Sequence, residues 1–347
     1  METFENPNPK QGSYFGCSIL DTDNKLIVGA RCGSPTEPIS NGYILYDNQV
    51  IEGSQKHHGD RYGVALACTE DWLIVGAYRY SGLSNESGCV YVYKRIGNKI
   101  EEHQILVPSD HYEKDYFGYN IDIKNNTIVV GAYEKQDGCV YIYDLLDDTW
   151  IETAKISPKD SCGNDRFGRA VCFGNDADTV YIGAIYHLDK QGAVYKYQRN
   201  KDWTETNKVL GKNYKQNLGN SIQYYDGKVI VGSYNYLNAT GAVYIYTDDL
   251  ELIQAIEPDV PQQSYFGGSI SANKYGLLIG CYRQGAVYYY TYTDNQYKLK
   301  KTIINNAEWF GYSVYLNQVG NTAYVGCSKY NNATGRFYAY SLLDSLL

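Results

Sequence analysis

The sequence predicts an all-β protein, a seven-bladed β-propeller with four antiparallel strands in each blade. A three-part pattern recurs seven times over 347 residues, and the glycines that open consecutive copies are 47, 55, 50, 51, 48 and 44 residues apart. A repeat of this length has the size of one propeller blade. The segments of each copy are rich in β-branched and aromatic residues and are separated by Gly, Asn, Asp and Pro, which is typical of strands and turns.

The first element of each copy opens with an apolar residue followed by glycine, at Phe15-Gly16, Tyr62-Gly63, Phe117-Gly118, Phe167-Gly168, Leu218-Gly219, Phe266-Gly267 and Phe310-Gly311. The second residue after this glycine is small, and we expect it where the seven inner strands crowd the axis: Ser18, Ala65, Asn120, Ala170, Ser221, Ser269 and Ser313. The next residue is a branched aliphatic, which we expect to pack blade on blade: Ile19, Leu66, Ile121, Val171, Ile222, Ile270 and Val314.

The second and third elements also predict strands. The second is an apolar run that ends in Gly and a small residue, such as Leu26 to Ala30 or Ile128 to Ala132. The third is a Gly-led run such as Gly138-Cys-Val-Tyr-Ile-Tyr143. A more polar run follows, for example Trp150 to Ile156, and we interpret it as an outermost strand that is solvated on its free edge.

The last copy ends with Ser341 to Leu347 and shows no outer strand after its third element. Residues Glu2 to Asn6 precede Ser13-Tyr-Phe-Gly16 much as Ile253 to Glu257 precede Ser264-Tyr-Phe-Gly267. We therefore expect the N-terminal strand to complete the last blade and to remove its open edge. Residues 1–347 then form one propeller domain, with repeats that start near the glycines given above.

The order Phe-Gly, then Val-Gly-Ala, then Gly-Ala-Val-Tyr-Ile-Tyr resembles the FG-GAP repeat, which is known from the propeller heads of integrin α subunits. This resemblance covers nearly the whole chain and implies the propeller fold, whereas propellers host unrelated activities. Many members of the family place an Asp-rich calcium loop between the first and second strands. The corresponding stretches here, such as Asp21 to Lys25, Lys124 to Asn126 and Asp226 to Lys228, lack the carboxylates that calcium needs. We therefore expect no metal and no cofactor.

Composition and charge exclude several classes of function. The net charge is −8, and the densest basic cluster is Lys298-Leu-Lys-Lys301, so we expect no binding of nucleic acid. We see neither a signal peptide nor an apolar run of membrane-spanning length, which predicts no membrane insertion and a cytoplasmic location or assembly into a particle in the cytoplasm. The nine cysteines are odd in number and scattered, which favours buried reduced thiols.

No catalytic constellation is visible, since nucleophile elbows, zinc motifs and phosphate-binding loops are all missing from the sequence. The histidine pair His57-His58 has no further ligand at metal-binding spacing, so we interpret it as part of a solvated loop. The positions directly after each Phe-Gly are expected to line the axial channel, and they include one cation and no carboxylate: Cys17, Val64, Tyr119, Arg169, Asn220, Gly268 and Tyr312. We therefore expect that the protein is not an enzyme.

Tyr and Arg recur just past the second strands, in loops that we expect to share one rim with the loops between blades. Such side chains are enriched at binding hot spots. The candidate binding residues are Tyr78, Arg79, Tyr80, Tyr133, Tyr186, His187, Tyr234, Tyr236, Tyr282, Arg283 and Tyr330. The first tyrosine after Gly and its small neighbour could equally pack against a blade, so the non-repeated Arg79, Tyr80, His187, Tyr236 and Arg283 are the stronger candidates. Loops from Arg31 to Asn41 and from Tyr78 to Gly88 are the longest on this rim.

Three functions remain open at this point. The first is a non-catalytic interaction or structural scaffold that binds protein through the Tyr/Arg-rich face, as part of a multi-subunit assembly or a viral particle. The second is a glycan-binding or adhesion propeller, because aromatic faces stack on sugar rings; its sign would be a repeated polar trio beside an exposed aromatic residue, and the aromatics repeat without those polar partners. An enzyme with residues at the axial mouth ranks third.

Overall fold

The structure is a computed structural model that describes residues 1–22, 25–32, 41–317, 319 and 321–342. It contains seven four-stranded antiparallel sheets, and each sheet is one blade of a ring. The seven-bladed propeller predicted from the repeat is thereby confirmed. Most of the predicted long loop between Arg31 and Asn41 lies outside the described residues, as do residues 23–24 of the first inter-strand turn and residues 343–347.

Each blade runs from an innermost to an outermost strand in chain order, except the last. Blade 1 consists of β2 (Phe15–Thr22), β3 (Lys25–Ala30), β4 (Tyr43–Tyr46) and β5 (Gln49–Ile51). Blade 2 consists of β6 (Leu66–Cys68), β7 (Trp72–Ala77), β8 (Cys89–Ile96) and β9 (Lys99–Leu106). Blade 3 consists of β10 (Phe117–Lys124), β11 (Thr127–Ala132), β12 (Cys139–Leu146) and β13 (Thr149–Ile156). Blade 4 consists of β14 (Phe167–Phe173), β15 (Thr179–Ala184), β16 (Ala193–Arg199) and β17 (Trp203–Leu210).

The remaining blades follow the same order until the ring closes. Blade 5 consists of β18 (Ser221–Tyr225), β19 (Lys228–Ser233), β20 (Ala242–Thr247) and β21 (Leu252–Ile256). Blade 6 consists of β22 (Phe266–Asn273), β23 (Gly276–Cys281), β24 (Ala286–Thr293) and β25 (Gln296–Ile304). Blade 7 consists of β26 (Phe310–Leu316), β27 (Thr322–Cys327), β28 (Arg336–Ser341) and, as its outermost strand, β1 (Glu2–Glu5).

The N-terminal strand closes the ring, as the sequence predicts. Strand β1 pairs antiparallel with β28, so that Phe4 lies opposite Phe337, and the two rings stack with their centroids 4.5 Å apart. Just past the strand, the Asn6 side-chain amide donates to the Thr334 carbonyl at 2.7 Å. Pairing the first strand with the last covers the edge that blade 7 would otherwise expose.

The motif glycines are required because neighbouring blades approach each other through them. Gly63 has a φ of +85°, and a Cβ there would lie 2.7 Å from the Tyr43 carbonyl of the preceding blade. A Cβ on Gly29 would lie only 2.0 Å from the Gly63 carbonyl. Since the same pair of contacts recurs around the ring, the Phe-Gly and Val-Gly-Ala elements mark the two surfaces on which consecutive blades meet.

The core lies between the blades and in their inner three strands. The opening phenylalanines are fully buried, and Phe117 packs edge-on against Tyr141 of its own blade, with the ring centroids 5.5 Å apart. Of the nine cysteines, all are free and Cys162 alone is exposed. Three short helical turns, α1 (His187–Lys190), α2 (Tyr236–Ala239) and α3 (Tyr330–Ala333), lie between second and third strands. No helix within the described ranges is both long and apolar enough to cross a bilayer.

Antiparallel pairing gives the propeller two distinct faces. The connections from second to third strands and from each blade to the next emerge on one face, which we call the loop face. The connections from first to second and from third to fourth strands emerge on the other, which we call the turn face. All the candidate binding residues of the sequence analysis belong to loop-face connections.

Candidate functional site

An axial cavity of about 450 Å³ lies where the seven inner strands meet. All seven positions predicted to line the channel do so, together with Arg31 at the end of β3. The small residues after Phe-Gly also line it, which confirms their expected place at the axis. Their aliphatic neighbours pack in the cores between blades, and six of the seven also reach the cavity wall. The seven first strands thus build one polar chamber on the axis.

The serines of the cavity wall tie each blade to its neighbour. The Ser18 hydroxyl donates to the Gly63 carbonyl at 2.7 Å, and the Ser313 hydroxyl donates to the Gly16 carbonyl at 2.7 Å across the closure of the ring. Ser221 and Ser269 form the same bond with the blade that follows each. Because their hydrogens are used in this way, these hydroxyls offer only lone pairs to the cavity.

A ring of large side chains surrounds the mouth of the cavity on the loop face, and the sequence analysis did not single it out. We call it the mouth ring; it consists of the residues directly before each Phe-Gly or its equivalent: Tyr14, Arg61, Tyr116, Arg166, Asn217, Tyr265 and Trp309. All seven have a φ between 52° and 63°. Left-handed backbone is unfavourable for bulky residues and is tolerated best by Asn and Gly. Six mouth-ring residues are therefore aromatic or Arg at positions where the backbone favours Asn.

Aromatic and guanidinium groups of the mouth ring pack against aromatic side chains of the neighbouring loops between second and third strands. The Arg166 guanidinium lies 4.2 Å from the Tyr186 ring centroid, and the Tyr116 ring packs edge-on against Tyr78 at 5.3 Å. On the other side of the mouth, the Tyr265 ring stacks on Tyr282 at 5.3 Å. The signal that reveals this ring in the sequence is the residue before each Phe-Gly, which is aromatic or Arg in six of seven copies.

The repeated tyrosines after the second strands divide into two groups. Tyr78 and Tyr133 are buried, at 8% exposure each, and pack against Tyr119. Tyr234 and Tyr282 are half-buried and line the axial cavity. Packing therefore accounts for the first two, whereas the second two present part of their surface to the cavity.

Two candidates that we expected to be exposed are buried, which corrects the sequence analysis. Tyr80 is 4% exposed; its hydroxyl donates to the Gln55 side chain, and its ring packs against His57 at 4.9 Å. The loop folds back on itself, because the Gly88 amide donates to the Tyr80 carbonyl at 3.0 Å. His187 is 1% exposed, and its Nδ1 lies 2.7 Å from Asp165 Oδ2.

The other candidates lie on the loop face and differ in how far their side chains are exposed and held by neighbours. Arg79 pairs with Glu86 at 3.3 Å, and the Arg336 guanidinium covers the Tyr330 ring at 3.7 Å. Tyr236 is half-buried against Tyr244. Arg283 is exposed, with its guanidinium 5.8 Å from the Tyr265 ring. Of the residues predicted from sequence, Arg283 is thus the most accessible cation.

A cluster of possible metal ligands also lies on this face. The ligand atoms of Cys162, Asp165 and His187 lie within 4.8 Å of one another, a grouping that sequence spacing did not indicate. Asp165 accepts a hydrogen bond from the Cys162 amide at 3.1 Å. At the equivalent position of blade 3, Asp115 accepts from the Tyr112 amide at 2.7 Å in the same way. Because the carboxylate has this bracing role in more than one blade, loop structure explains the cluster without a metal.

A second, smaller pocket of about 270 Å³ lies between blades 6 and 7. Tyr282 and Trp309 form its aromatic side, and Asn305, Asn306 and Glu308 line its polar side. The Trp309 indole N–H is buried without a hydrogen-bond partner in the described structure. This pocket combines aromatic faces with polar groups, although it is not a repeated feature among the pockets found.

Comparison with known protein families agrees with the geometry. Residues 48–93, 100–143 and 150–197 match the family model of the FG-GAP repeat. These three regions of the chain carry FG-GAP repeats. Each matched region runs from the outer part of one blade to the third strand of the next. An FG-GAP propeller indicates an interaction or adhesion type of module without specifying a partner. No curated protein matches the chain at a significant level.

Proposed function

We propose that this FG-GAP propeller is a non-catalytic interaction module that binds a protein partner through the mouth ring and the adjoining loop face. The observation that carries the proposal is the choice of residues in the mouth ring. Left-handed backbone costs a bulky residue on the order of 1 kcal/mol or more, and local preference alone would select Asn or Gly. Asn217 shows that Asn is compatible with this position in the same ring.

The surface chemistry supports binding by this face. Six of the mouth-ring residues are half-buried, so each rigid side chain keeps part of its surface in contact with solvent. Tyr, Trp and Arg dominate binding hot spots, and Tyr and Trp bury a large area at a small cost in side-chain entropy. Mouth-ring side chains already pack against tyrosines of the neighbouring loops, so that little further ordering is needed when a partner binds.

The test uses substitutions that suit the backbone. In the mouth variant, Arg61, Tyr265 and Trp309 are each replaced by Asn, which tolerates the left-handed conformation. In the control variant, Tyr275 and Tyr292, which are 40% and 41% exposed near turn-face connections, are replaced by Asn. Partners cross-linked to each protein in an extract of the native source are identified by mass spectrometry and then measured in purified form.

We expect a purified partner to bind the wild type and the control variant, and to lose about thirtyfold or more in affinity for the mouth variant, as truncation of a hot spot does. Melting temperatures of the three proteins should agree within a few degrees. Equal binding by the mouth variant would place the partner on another surface and contradict the proposal. A joint substitution of Arg79, Tyr80, Tyr236 and Arg283 would be a weaker test, because loss of the buried Tyr80 would also perturb the fold.

A second candidate function, glycan binding, is favoured by the pocket between blades 6 and 7. Tyr282 and Trp309 offer faces for a sugar ring, and Asn305, Asn306 and Glu308 offer hydrogen bonds to its hydroxyls. On a glycan array, a ligand that binds the wild type and not a Trp309→Asn variant would support this function. Retention of the ligand by that variant would exclude this pocket.

A further inference from the structure

The axial cavity has an unusual charge composition for a protein with a net charge of −8. Two guanidinium groups, Arg31 and Arg169, line it, and no carboxylate lines it among the described residues. Ionised side chains in a protein interior are normally paired, because removal from water is costly. Among the described residues these two cations have no carboxylate partner, which an anionic ligand would supply.

Both guanidinium groups have hydrogen-bond donors to spare. Arg31 donates from Nη1 to the Tyr312 hydroxyl at 3.1 Å, and its Nε is buried without a partner in the described structure. Arg169 lies with its guanidinium 4.4 Å from the Tyr119 ring centroid. Since an arginine carries five N–H donors, most of those on Arg31 and Arg169 are unused by the described residues.

The two arginines act on the same part of the cavity. Arg31 and Arg169 line the same cavity as Tyr119 and Tyr312, although the arginines belong to blades 1 and 4. Burial raises the pKa of Tyr312 above its ordinary value, so its hydroxyl stays protonated at neutral pH and keeps its donor. Tyr234 and Tyr282 also line this space. The cavity therefore concentrates N–H and O–H donors around one volume.

A third cation stands at the entrance. Burial lowers the pKa of Arg61, and the positive charges of Arg31 and Arg79 lower it further. Its Nε is also buried without a partner among the described residues. Such a run of cations from the mouth to the interior favours the entry of an anion over that of a cation.

The wall also holds acceptors that need donors. The Asn220 side-chain oxygen is buried and has no partner among the described residues, while its nitrogen donates to the Gly268 carbonyl at 3.3 Å. The serine hydroxyls of the wall donate their hydrogens to carbonyls of neighbouring blades, so only their lone pairs face a ligand. A ligand that satisfies this wall must bring hydroxyl hydrogens as well as negative charge.

We propose that the axial cavity binds a small hydroxy-carboxylate, whose carboxylate binds Arg31 and Arg169 and whose hydroxyls donate to Asn220 and to the serines of the wall. Arginine matches a planar carboxylate with paired N–H donors. The cavity volume of about 450 Å³ suits a small organic anion. The ligand would bind in the interior of the ring, whereas the proposed protein-binding face lies around its mouth; Arg61 at the entrance belongs to both.

The experiment measures binding of D-glucuronate, which carries one carboxylate and several hydroxyls, by calorimetry and by the shift in melting temperature. Glucose has the hydroxyls without the charge, acetate has the charge without the hydroxyls, and phosphate is a different oxyanion. Sodium chloride at matched ionic strength controls for general screening. The variants are Arg31→Gln, Arg169→Gln and Asn220→Ala, and Arg283→Gln is a matched control on the same face outside the cavity.

We expect glucuronate to bind the wild type and Arg283→Gln, and to lose tenfold or more in affinity for either cavity-arginine variant, as loss of hydrogen bonds to a charged group does. Asn220→Ala should weaken glucuronate without affecting acetate. Acetate should bind at least tenfold more weakly than glucuronate, and glucose should not bind. If a glutamine variant fails to fold, Arg169→Lys keeps the charge, and its weaker binding measures the lost paired donors.

Several outcomes would overturn the proposal. Failure of glucuronate to bind the wild type would exclude a hydroxy-carboxylate of this size. Equal binding of acetate, phosphate and glucuronate would show an unselective anion site. Equal loss with Arg283→Gln, which lines the pocket between blades 6 and 7, would place glucuronate in that pocket. Loss of partner binding by the mouth variant leaves these results unaffected, so the two proposals fail or succeed independently.

Discussion

Two regions of this propeller differ in whether their basic side chains have carboxylate partners. Between the blades, Lys135 is 8% exposed and lies 2.6 Å from Asp115, and the buried Lys196 lies 2.5 Å from Asp248 and 2.8 Å from Asp249. In the axial cavity, Arg31 and Arg169 have no carboxylate partner among the described residues. The buried lysines that join blades therefore have carboxylate partners, whereas the described cations on the axis have none. The paired lysines serve the fold, whereas the two unpaired arginines are the basis of the proposed anion site.

The largest effect is expected from breaking the buried pair of Lys135 and Asp115. Lys135→Met would leave Asp115 buried without its counter-charge, and loss of one partner of a buried pair costs about 3–5 kcal/mol of unfolding free energy. Urea denaturation of the wild type and the variant measures the change. The double variant Lys135→Met with Asp115→Asn should recover much of the loss, because both charges are then gone. A loss below about 1 kcal/mol would mean that this pair behaves as a surface pair does.

The equivalent carboxylate of blade 2 provides the next test, since it lacks a lysine partner. Asp60 is 1% exposed, and burial raises its pKa from 3.8 to about 7, although hydrogen bonds from the backbone oppose the shift. A carboxyl whose pKa is raised by folding is protonated more readily in the folded state. Its contribution to stability is therefore complete below about pH 4 and is lost as the pH rises to about 7.

Asp60→Asn should consequently raise the unfolding free energy on the order of 2 kcal/mol at pH 8, allowing for relaxation around the charge. The gain should vanish well below pH 4, where the wild-type carboxyl is protonated in both states. Denaturation curves at a series of pH values measure it. A variant that is less stable than the wild type at pH 8 would show that the ionised carboxylate is held favourably by its surroundings.

A smaller increase in stability is expected when the cavity arginines are replaced. Arg31→Gln and Arg169→Gln should leave the ligand-free protein as stable as the wild type or raise its unfolding free energy by about 1 kcal/mol at low salt, because each removes an uncompensated charge. High salt should reduce this gain. The matched control is Arg199→Gln, which removes contacts to Asp144 at 2.8 Å and Asp178 at 2.7 Å and should destabilise the protein. Similar losses in all three variants would erase the distinction between the two regions.

The smallest effect belongs to a pair at the surface. Lys298 lies 2.5 Å from Asp294, but the two side chains are 53% and 82% exposed. Solvent screening and side-chain entropy leave such pairs with little net energy, so Lys298→Ala should change the unfolding free energy by no more than about 0.5 kcal/mol. A thermal melt detects a larger loss, which would show that pairing distance rather than burial sets the contribution of charges in this protein.

The sequence by itself determined the architecture, because the contacts that build it are local and repeated. The Phe-Gly and Val-Gly-Ala glycines are required where blades meet, so their spacing reports the number of blades directly. The same repetition placed Cys17, Tyr119 and Arg169 on the axis, since residues at one repeat position occupy one place in each blade. The closing strand was predictable from the match between the residues that precede two of the Phe-Gly pairs.

Only the tertiary structure decided which side chains on the loop face are free. Tyr80 and His187 break the repeat and so suggested exposure, yet the fold of their loops turns both inward against His57 and Asp165. Arg31 gave no sign of a place in the cavity, because it follows a second strand and reaches the axis only when seven blades close around it. Exposure, pairing and the lack of a counter-charge depend on how individual side chains pack, both within one repeat and across the ring, and the repeated positions carry no information about this packing.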